Sequence, residues 1–112
     1  MDILSVEKNV ETAVNLLKAL SNENRLVIIC ALYKGEKSVG ELEDIVGLSQ
    51  SALSQHLARL RKDGLVETRR EAQTIYYSMD DAATHEVLKC LYDIYAPEKI
   101  DAIHDKIEEK KA

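Results

Sequence analysis

The sequence predicts a mostly α-helical winged helix-turn-helix domain with a β-hairpin wing. Apolar residues recur at helical spacing along most of the 112 residues. The three-residue turn Gly47-Leu48-Ser49 joins two of these helical segments, and two short strand-like runs follow the second segment. Together these features favour a single domain over residues 1–112 with about six helices.

The first two helices are indicated by apolar spacing and by cap residues. A first helix is expected over residues 6–20. Its apolar side would carry Val6, Val10, Ala13, Leu17 and Leu20. Ser21 and Asn22 are good helix caps, so a second helix is expected over residues 23–33, where the apolar run LVIICAL lies. Gly35 can end this second helix.

The third and fourth helices form the helix-turn-helix. The segment Ser38-Val39-Gly40-Glu41 fits a capping box, in which the first and last side chains each bond the other's backbone N–H. A short helix should therefore run to about Val46. We expect Leu48 in the turn to be buried, and Ser49 to cap a fourth helix that spans residues 50–63.

A β-hairpin is expected after the fourth helix, within the segment LVETRREAQTIYYSM. Residues 65–70 and 74–78 contain Val, Thr, Ile and Tyr, which favour strands, and the polar residues 71–73 between them suit a hairpin tip. The tip has no Asn-Gly or Asp-Gly pair, so its turn type is left open.

Two further helices are expected beyond the hairpin. Asp80 or Asp81 can cap a fifth helix, and Pro97 can start a sixth. The apolar face of the fifth would carry Val87, Leu88, Leu91, Ile94 and Tyr95, and that of the sixth Ile100, Ile103 and Ile107. The first helix has a long apolar stripe and the fifth has a face wide enough for both core and partner. We therefore expect a homodimer whose interface is formed by the first, fifth and sixth helices.

Charge is unevenly distributed along the chain. The net charge is −5. Residues 49–78 carry five Arg or Lys and three Asp or Glu, a local charge of +2, so the remainder of the chain carries −7. A modestly basic segment inside an acidic protein is compatible with a nucleic-acid partner, although ordinary surface scatter could also produce it.

The composition also bears on compartment and membrane association. The first 20 residues mix acidic with apolar side chains, unlike a signal peptide, and no apolar run approaches the roughly 20 residues of a membrane span. Cys30 and Cys90 lie in apolar helical patterns and do not resemble a secreted disulfide framework. We interpret the chain as cytoplasmic, with no membrane partner.

The fourth helix has an unusual outer face. Leu53, Leu57 and Leu60 form an apolar stripe, whereas the opposite side carries short hydroxyls and amides in place of Glu and Lys. In a helix-turn-helix, the first turns of the second helix read base edges, where Gln matches adenine and carboxylates would repel phosphates. Basic residues further along and on the wing suit phosphate contacts. The candidate DNA-binding residues are Gln50, Ser51, Ser54, Gln55, Arg59, Lys62, Arg69, Arg70 and Gln73.

Other function classes find less support in the sequence. We find no nucleophile–base constellation, no Gly-rich phosphate loop and no catalytic carboxylate pair, so no catalytic residue is assigned and the chain is not expected to be an enzyme. A winged-helix module that binds another protein is the alternative. Such a module should present Leu, Met or aromatic anchors on the fourth helix, and this helix presents neutral polar residues.

Three segments resemble the ArsR/SmtB family of bacterial winged-helix repressors: LKALSNENRLVIICAL, SVGELEDIVGLSQSALSQHLARLRKDGLVETRREAQTIYYSM and LYDIYA. The resemblance covers about residues 13–96. It implies a homodimer whose recognition helices face an inverted-repeat operator in double-stranded DNA. It also implies repression relieved by a small inorganic effector, most often a metal ion.

The metal sites of that family do not carry over to this chain. The family's thiolate site needs cysteines in the third helix, and SVGELEDIV has none. Its zinc site on the fifth helix needs an Asp-x-His start, but Asp81 is followed by two alanines and His85 has no matching pair downstream. His104 and Glu108 are one turn apart, which is too few ligands for a closed site. We expect neither metal nor cofactor.

The cysteines resemble, in part, the family branch that senses oxidants or reactive sulfur and includes haemolysin-activator and biofilm-growth regulators. Cys30 matches the branch's first cysteine, but Ala96 stands where the second is expected. Cys90 lies six residues earlier, about 9 Å along the helix and on another face, so a bond to Cys30 is not expected. Cys30 is either a single thiol that reacts with a small oxidant or sulfur species, or a small apolar residue in a regulator without an effector. Repressor and anti-repressor both stay open.

Overall fold

The computed structural model describes residues 3–95, and the side chains from residue 7 onward. It contains five helices and three strands in this range. They are α1 (Ile3–Leu20), α2 (Glu23–Tyr33), β1 (Lys37–Ser38), α3 (Val39–Val46), α4 (Gln50–Lys62), β2 (Glu67–Glu71), β3 (Thr74–Ser78) and α5 (Ala82–Ile94). The predicted winged helix-turn-helix is confirmed. The first helix begins earlier than predicted, and the predicted sixth helix lies outside the described residues.

Polar caps fix where the helices begin, as their residue types predicted. The side chain of Asn22 accepts a hydrogen bond from the backbone of α2, and that of Ser49 does the same for α4. Asp81, the second of the two expected candidates, caps α5. The predicted capping box at the start of α3 is present: Ser38 Oγ accepts from the backbone N of Glu41, and Glu41 Oε1 accepts from the backbone N of Ser38.

The sheet is antiparallel, in the order β1-β3-β2. Strand β1 was not predicted, because its two residues are too few to form a pattern and exist as a strand only through pairing with Tyr76 and Tyr77. The hairpin turn is shorter than predicted, since β2 extends to Glu71. The turn places Ala72 at a φ of 56°, a left-handed conformation that is unfavourable for a residue with a Cβ.

The predicted start of the hairpin at Leu65 is wrong, and the end of α4 explains why. Gly64 takes a φ of 79°, its N–H donates to the carbonyl of Arg61, and the N–H of Leu65 donates to the carbonyl of Leu60. This is a Schellman motif, so Leu65 completes the helix terminus instead of opening the strand. Leu65 and Val66 are buried in the core, and the wing comprises residues 67–78.

One hydrophobic core joins the helices to the sheet. Leu53, Leu57 and Leu60 of α4 are almost fully buried and pack with residues of α2, α3 and α5 such as Ile28, Leu42 and Leu88. The predicted apolar stripe of α4 is therefore its core face. Leu48, which was expected to be buried, is only half-buried at the edge of this core.

Candidate nucleic-acid interface

Helix α4 presents its polar side to solvent. Gln50, Ser51, Ser54 and Gln55 are all exposed in the first turns; Ser51 and Gln55 lie opposite the buried leucines, and Gln50 and Ser54 flank them. The core contacts of three leucines fix the rotation of the helix about its axis. The side chains expected to read base edges therefore form one outward surface, which we call the reading face.

Two grooves connect the reading face to neighbouring elements. The first lies between the start of α3, the start of α4 and the wing tip, and its lining includes both Gln50 and Gln73. The second lies between α4 and β3, and it is lined by Ser54, Ala58, Arg61, Lys62 and Tyr77. Gln50, Ser54 and Lys62 of the helix and Gln73 of the wing therefore line grooves at the edge of the reading face.

Arg61 lines this surface but was not among the predicted candidates. It is exposed, and it follows Ser54 and Ala58 at helical spacing on the groove side of α4. That spacing, i, i+4 and i+7, was visible in the sequence and would have identified Arg61 as a neighbour of the reading face.

The predicted phosphate-contact residues differ in how free their charges are. Lys62 and Arg70 are exposed, and Lys62 lines the second groove. Arg59 is also exposed, but its Nε donates to Asp63 Oδ2 at 2.7 Å, which neutralises much of its charge. Arg59 is therefore less suited to a phosphate contact than Lys62 or Arg70.

Arg69 has the most side-chain contacts of the predicted phosphate-contact residues, because its guanidinium already has carboxylate partners. Its Nε and Nη2 donate to the two carboxylate oxygens of Glu36 at 2.8 and 2.7 Å, and Nη1 donates to Glu71 at 2.9 Å. Its Cζ lies 4.3 Å from the centre of the Tyr76 ring. These hydrogen bonds hold the pKa of Glu36 below its ordinary value and raise the pKa of Arg69. Glu36 precedes Arg69 by 33 positions, and no local pattern links them.

The two cysteines have different surroundings, and both are free thiols. Cys30 is half-buried against the core, and this burial raises the pKa of its thiol. Cys90 is exposed. Cys30 therefore lies in an environment that disfavours the reactive thiolate.

Residues 3–95 contain no group of three or more His, Cys, Asp or Glu side chains that could hold a metal ion. His85 contacts the ring of Tyr33, with ring centres 5.3 Å apart, and its Nε2 lies 3.1 Å from the carbonyl oxygen of Met79. His104 and Glu108 lie outside the described residues. Across the described helices, none is long and apolar enough to cross a membrane.

Two helices leave large apolar side chains in solvent. Val10, Val14 and Leu17 form a stripe on α1 and are 56%, 40% and 59% exposed. Ile94 and Tyr95, at the end of α5 and just beyond it, are 63% and 68% exposed. From residue 7 to residue 95, where side chains are described, these are all the exposed large apolar residues. The other side of α1 contributes its buried residues to the core, so the stripe is a second apolar face.

The buried leucine face of α4, its polar reading face and the adjacent wing define a winged helix-turn-helix DNA-binding protein. Residues 22–68 match the family model described as bacterial regulatory protein, arsR family. The transcriptional activator HlyU of Vibrio cholerae serotype O1 is 52% identical over 95 residues, which are 85% of this chain and 88% of that protein. The chain belongs to the arsR family of bacterial transcriptional regulators, as its sequence motifs predicted.

Other relatives agree with this assignment. The biofilm growth-associated repressor of Xylella fastidiosa is 42% identical over 87% of this chain and 85% of its own length. The structure of reduced HlyU from Vibrio cholerae covers 84% of this chain and 99% of its own, with a TM-score of 0.79 and 51% identity. The structure of a homodimeric DNA-binding domain, Mb0332 from Mycobacterium bovis, covers 91% of this chain and 93% of its own, with a TM-score of 0.72 and 26% identity. These relatives are regulators and not enzymes, as expected for this chain.

Proposed function

We propose that the protein is a homodimeric transcriptional regulator that recognises an inverted-repeat operator through α4 and the wing. The observation that carries this proposal is the orientation of α4. Three buried leucines hold the helix so that Gln50, Ser51, Ser54 and Gln55 point away from the protein. Short hydroxyl and amide side chains at the start of an exposed recognition helix can approach base edges in the major groove.

The candidate residues divide into reading and positioning groups. Gln55 and Ser51 are assigned to base edges, because Gln can donate to and accept from adenine, and Ser can serve several bases. Lys62, Arg70 and the added Arg61 are assigned to phosphates, because all three are exposed and the first and last line the groove beside α4. Gln73 at the wing tip lines the same groove as Gln50 and is assigned to the DNA backbone or minor groove.

The exposed apolar surfaces of α1 and α5 support the homodimer. An apolar stripe of this kind costs free energy in water and is usually covered by a partner. A symmetric partner would double the number of reading faces, and two faces about one helical turn apart match an inverted repeat. The homodimeric assembly of Mb0332, which shares this fold, also supports the proposal.

A protein-binding role for α4 is less well supported. The exposed large apolar side chains of the described residues lie on α1 and at the end of α5, and α4 carries none of them. Hot-spot anchors of protein interfaces are typically aromatic or large apolar residues. The apolar surfaces therefore suit assembly, and the polar reading face suits DNA.

Regulation by an oxidant or a sulfur species is proposed to act through Cys30. The half-buried position and raised pKa of this thiol imply slow reaction at neutral pH. These two properties support the alternative more strongly, in which Cys30 is a small core residue and the regulator needs no effector.

The proposal is tested by titrating the protein with an inverted-repeat duplex and with a scrambled duplex at several salt concentrations. Three phosphate contacts per protomer in a dimer predict a slope of about −5 in a plot of log affinity against log salt. The inverted repeat should bind more tightly than the scrambled duplex. An affinity that is the same for both duplexes and does not change with salt concentration would refute the proposed function.

A further inference from the structure

Arg69 connects the two edges of the sheet. It lies on β2, directly across from Tyr76 of β3, and Tyr76 pairs on its other side with Ser38 of β1. The guanidinium lies over the Tyr76 ring and reaches Glu36, which immediately precedes β1. The Arg69 side chain therefore crosses the central strand and ties the outer strand of the wing to the loop before β1.

The geometry of this contact is that of a strong ion pair. Two N–H groups of Arg69 donate to the two oxygens of the Glu36 carboxylate, the bidentate arrangement in which a guanidinium and a carboxylate match best. Glu71 binds a third N–H on the same guanidinium. One cation between two carboxylates gives this cluster a net charge of −1.

Electrostatics therefore argue against a phosphate contact by Arg69. A DNA phosphate that approached this cluster would meet a net negative charge, and it would have to displace a carboxylate that binds through both oxygens. The guanidinium face toward Tyr76 is occupied as well. The charge of Arg69 is engaged within the protein.

Strand alternation gives the neighbouring Arg70 the opposite orientation. Successive side chains of a strand point to opposite faces, and directly paired residues share a face. Arg70 pairs with Ile75, and Thr68 on the same face pairs with Tyr77. Tyr77 lines the groove between α4 and β3 and packs against the core, so Arg70 lies on the α4 side of the wing and Arg69 on the other.

We propose that Arg69 is a positioning residue, and that its pair with Glu36 is a clamp that holds the wing in its DNA-binding orientation. The wing needs such a tie because β2 is an outer strand that pairs only with β3, and β1 has just two residues. The proposal rests on the proposed DNA-binding function, because it concerns how Arg70 and Gln73 are held beside the reading face. It replaces the expected phosphate contact of Arg69.

The test uses two clamp variants and two matched controls in the full-length protein. Glu36→Gln and Arg69→Gln each break the clamp. Arg70→Gln removes a neighbouring cation from the same strand, and Glu67→Gln removes a neighbouring carboxylate, which measures the general effect of one lost negative charge. The readouts are affinity for an inverted-repeat duplex, the salt dependence of that affinity, and hydrogen exchange of wing amides without DNA.

The clamp predicts that Glu36→Gln and Arg69→Gln both weaken binding about fivefold relative to the wild-type protein, with the salt slope unchanged. Both should speed amide exchange across residues 67–78 in the free protein. Arg70→Gln should instead reduce the slope by about 0.9 per protomer and leave the exchange rates unchanged.

Two results would overturn the clamp. If Arg69 contacts phosphate, Arg69→Gln flattens the salt slope as Arg70→Gln does, and Glu36→Gln tightens binding beyond the effect of Glu67→Gln. Unchanged wing exchange in both clamp variants would also refute it. Because exchange is measured without DNA, the clamp is tested separately from the proposed function, which fails if the wild-type protein does not bind DNA.

Discussion

Replacing Leu17 by Asp tests the proposed dimer interface most sharply. Leu17 is 59% exposed in the protomer. Full burial of a Leu side chain is worth about 2 kcal/mol, so covering the exposed part contributes roughly 1.2 kcal/mol per protomer. A symmetric interface contains the residue twice, which gives about 2.4 kcal/mol, or roughly a 50-fold change in the dimer dissociation constant. A buried carboxylate adds a desolvation cost, so this factor is a lower bound.

Sedimentation velocity over a range of micromolar concentrations measures this change directly. Asn9→Asp is the matched control, because it adds the same charge to an exposed position of α1 that lies about 80° around the helix axis from Leu17. Leu17→Asp should shift the protein toward monomer and lose operator binding at the same time, whereas Asn9→Asp should change neither. Circular dichroism checks that both variants are folded. A wild-type protein that sediments as a monomer, or a Leu17→Asp variant that remains a dimer, would refute the interface.

Three further predictions follow from the same structure. Gln55→Ala should lose about 1–3 kcal/mol on the operator and little on scrambled DNA, and an equal loss on both would remove the base-reading role of Gln55. Ser38→Ala removes half of the capping box and should lower the free energy of unfolding by about 1 kcal/mol, which an unchanged urea midpoint would contradict. Burial raises the pKa of the Cys30 thiol, whereas Cys90 is exposed, so an alkylating reagent at neutral pH should modify Cys90 first. The alkylation rate of Cys30 should increase as the pH rises toward the raised pKa of its thiol. Under mild oxidant, the mass of the monomer should not decrease by the two hydrogens that a disulfide between Cys30 and Cys90 would remove. Faster alkylation of Cys30 than of Cys90 would contradict the first expectation, and that mass loss would contradict the second.

Local signals in the sequence predicted most of the fold. The caps at Asn22, Ser38 and Ser49 are decided by a side chain and a backbone N–H three residues away, so they can be identified from a short window. The helical spacing of the three leucines of α4 likewise predicts which side of this helix is buried. The reading face then follows by geometry, since it is the opposite side of the same helix.

Contacts between distant segments could not be predicted in this way. Strand β1 exists because residues 37 and 38 pair with β3, which lies almost 40 positions later. The ion pair between Glu36 and Arg69 spans a similar distance, so Arg69 looked like an available cation in the sequence. The start of the wing was predicted two residues too early for a local reason. The N–H of Leu65 bonds to the carbonyl of Leu60 at the end of α4, so Leu65 belongs to the helix terminus, although its residue type is also compatible with a strand.

In the proposed function, α4 reads DNA sequence as part of a dimer. Selection of genomic fragments bound by the wild-type protein, with Gln55→Ala selected in parallel, tests it most directly. The account predicts that wild-type fragments share an inverted repeat with half-sites about one helical turn apart, and that Gln55→Ala relaxes the preference at one position in each half-site. Fragments with no common sequence, or a shared sequence that Gln55→Ala leaves unchanged, would contradict it.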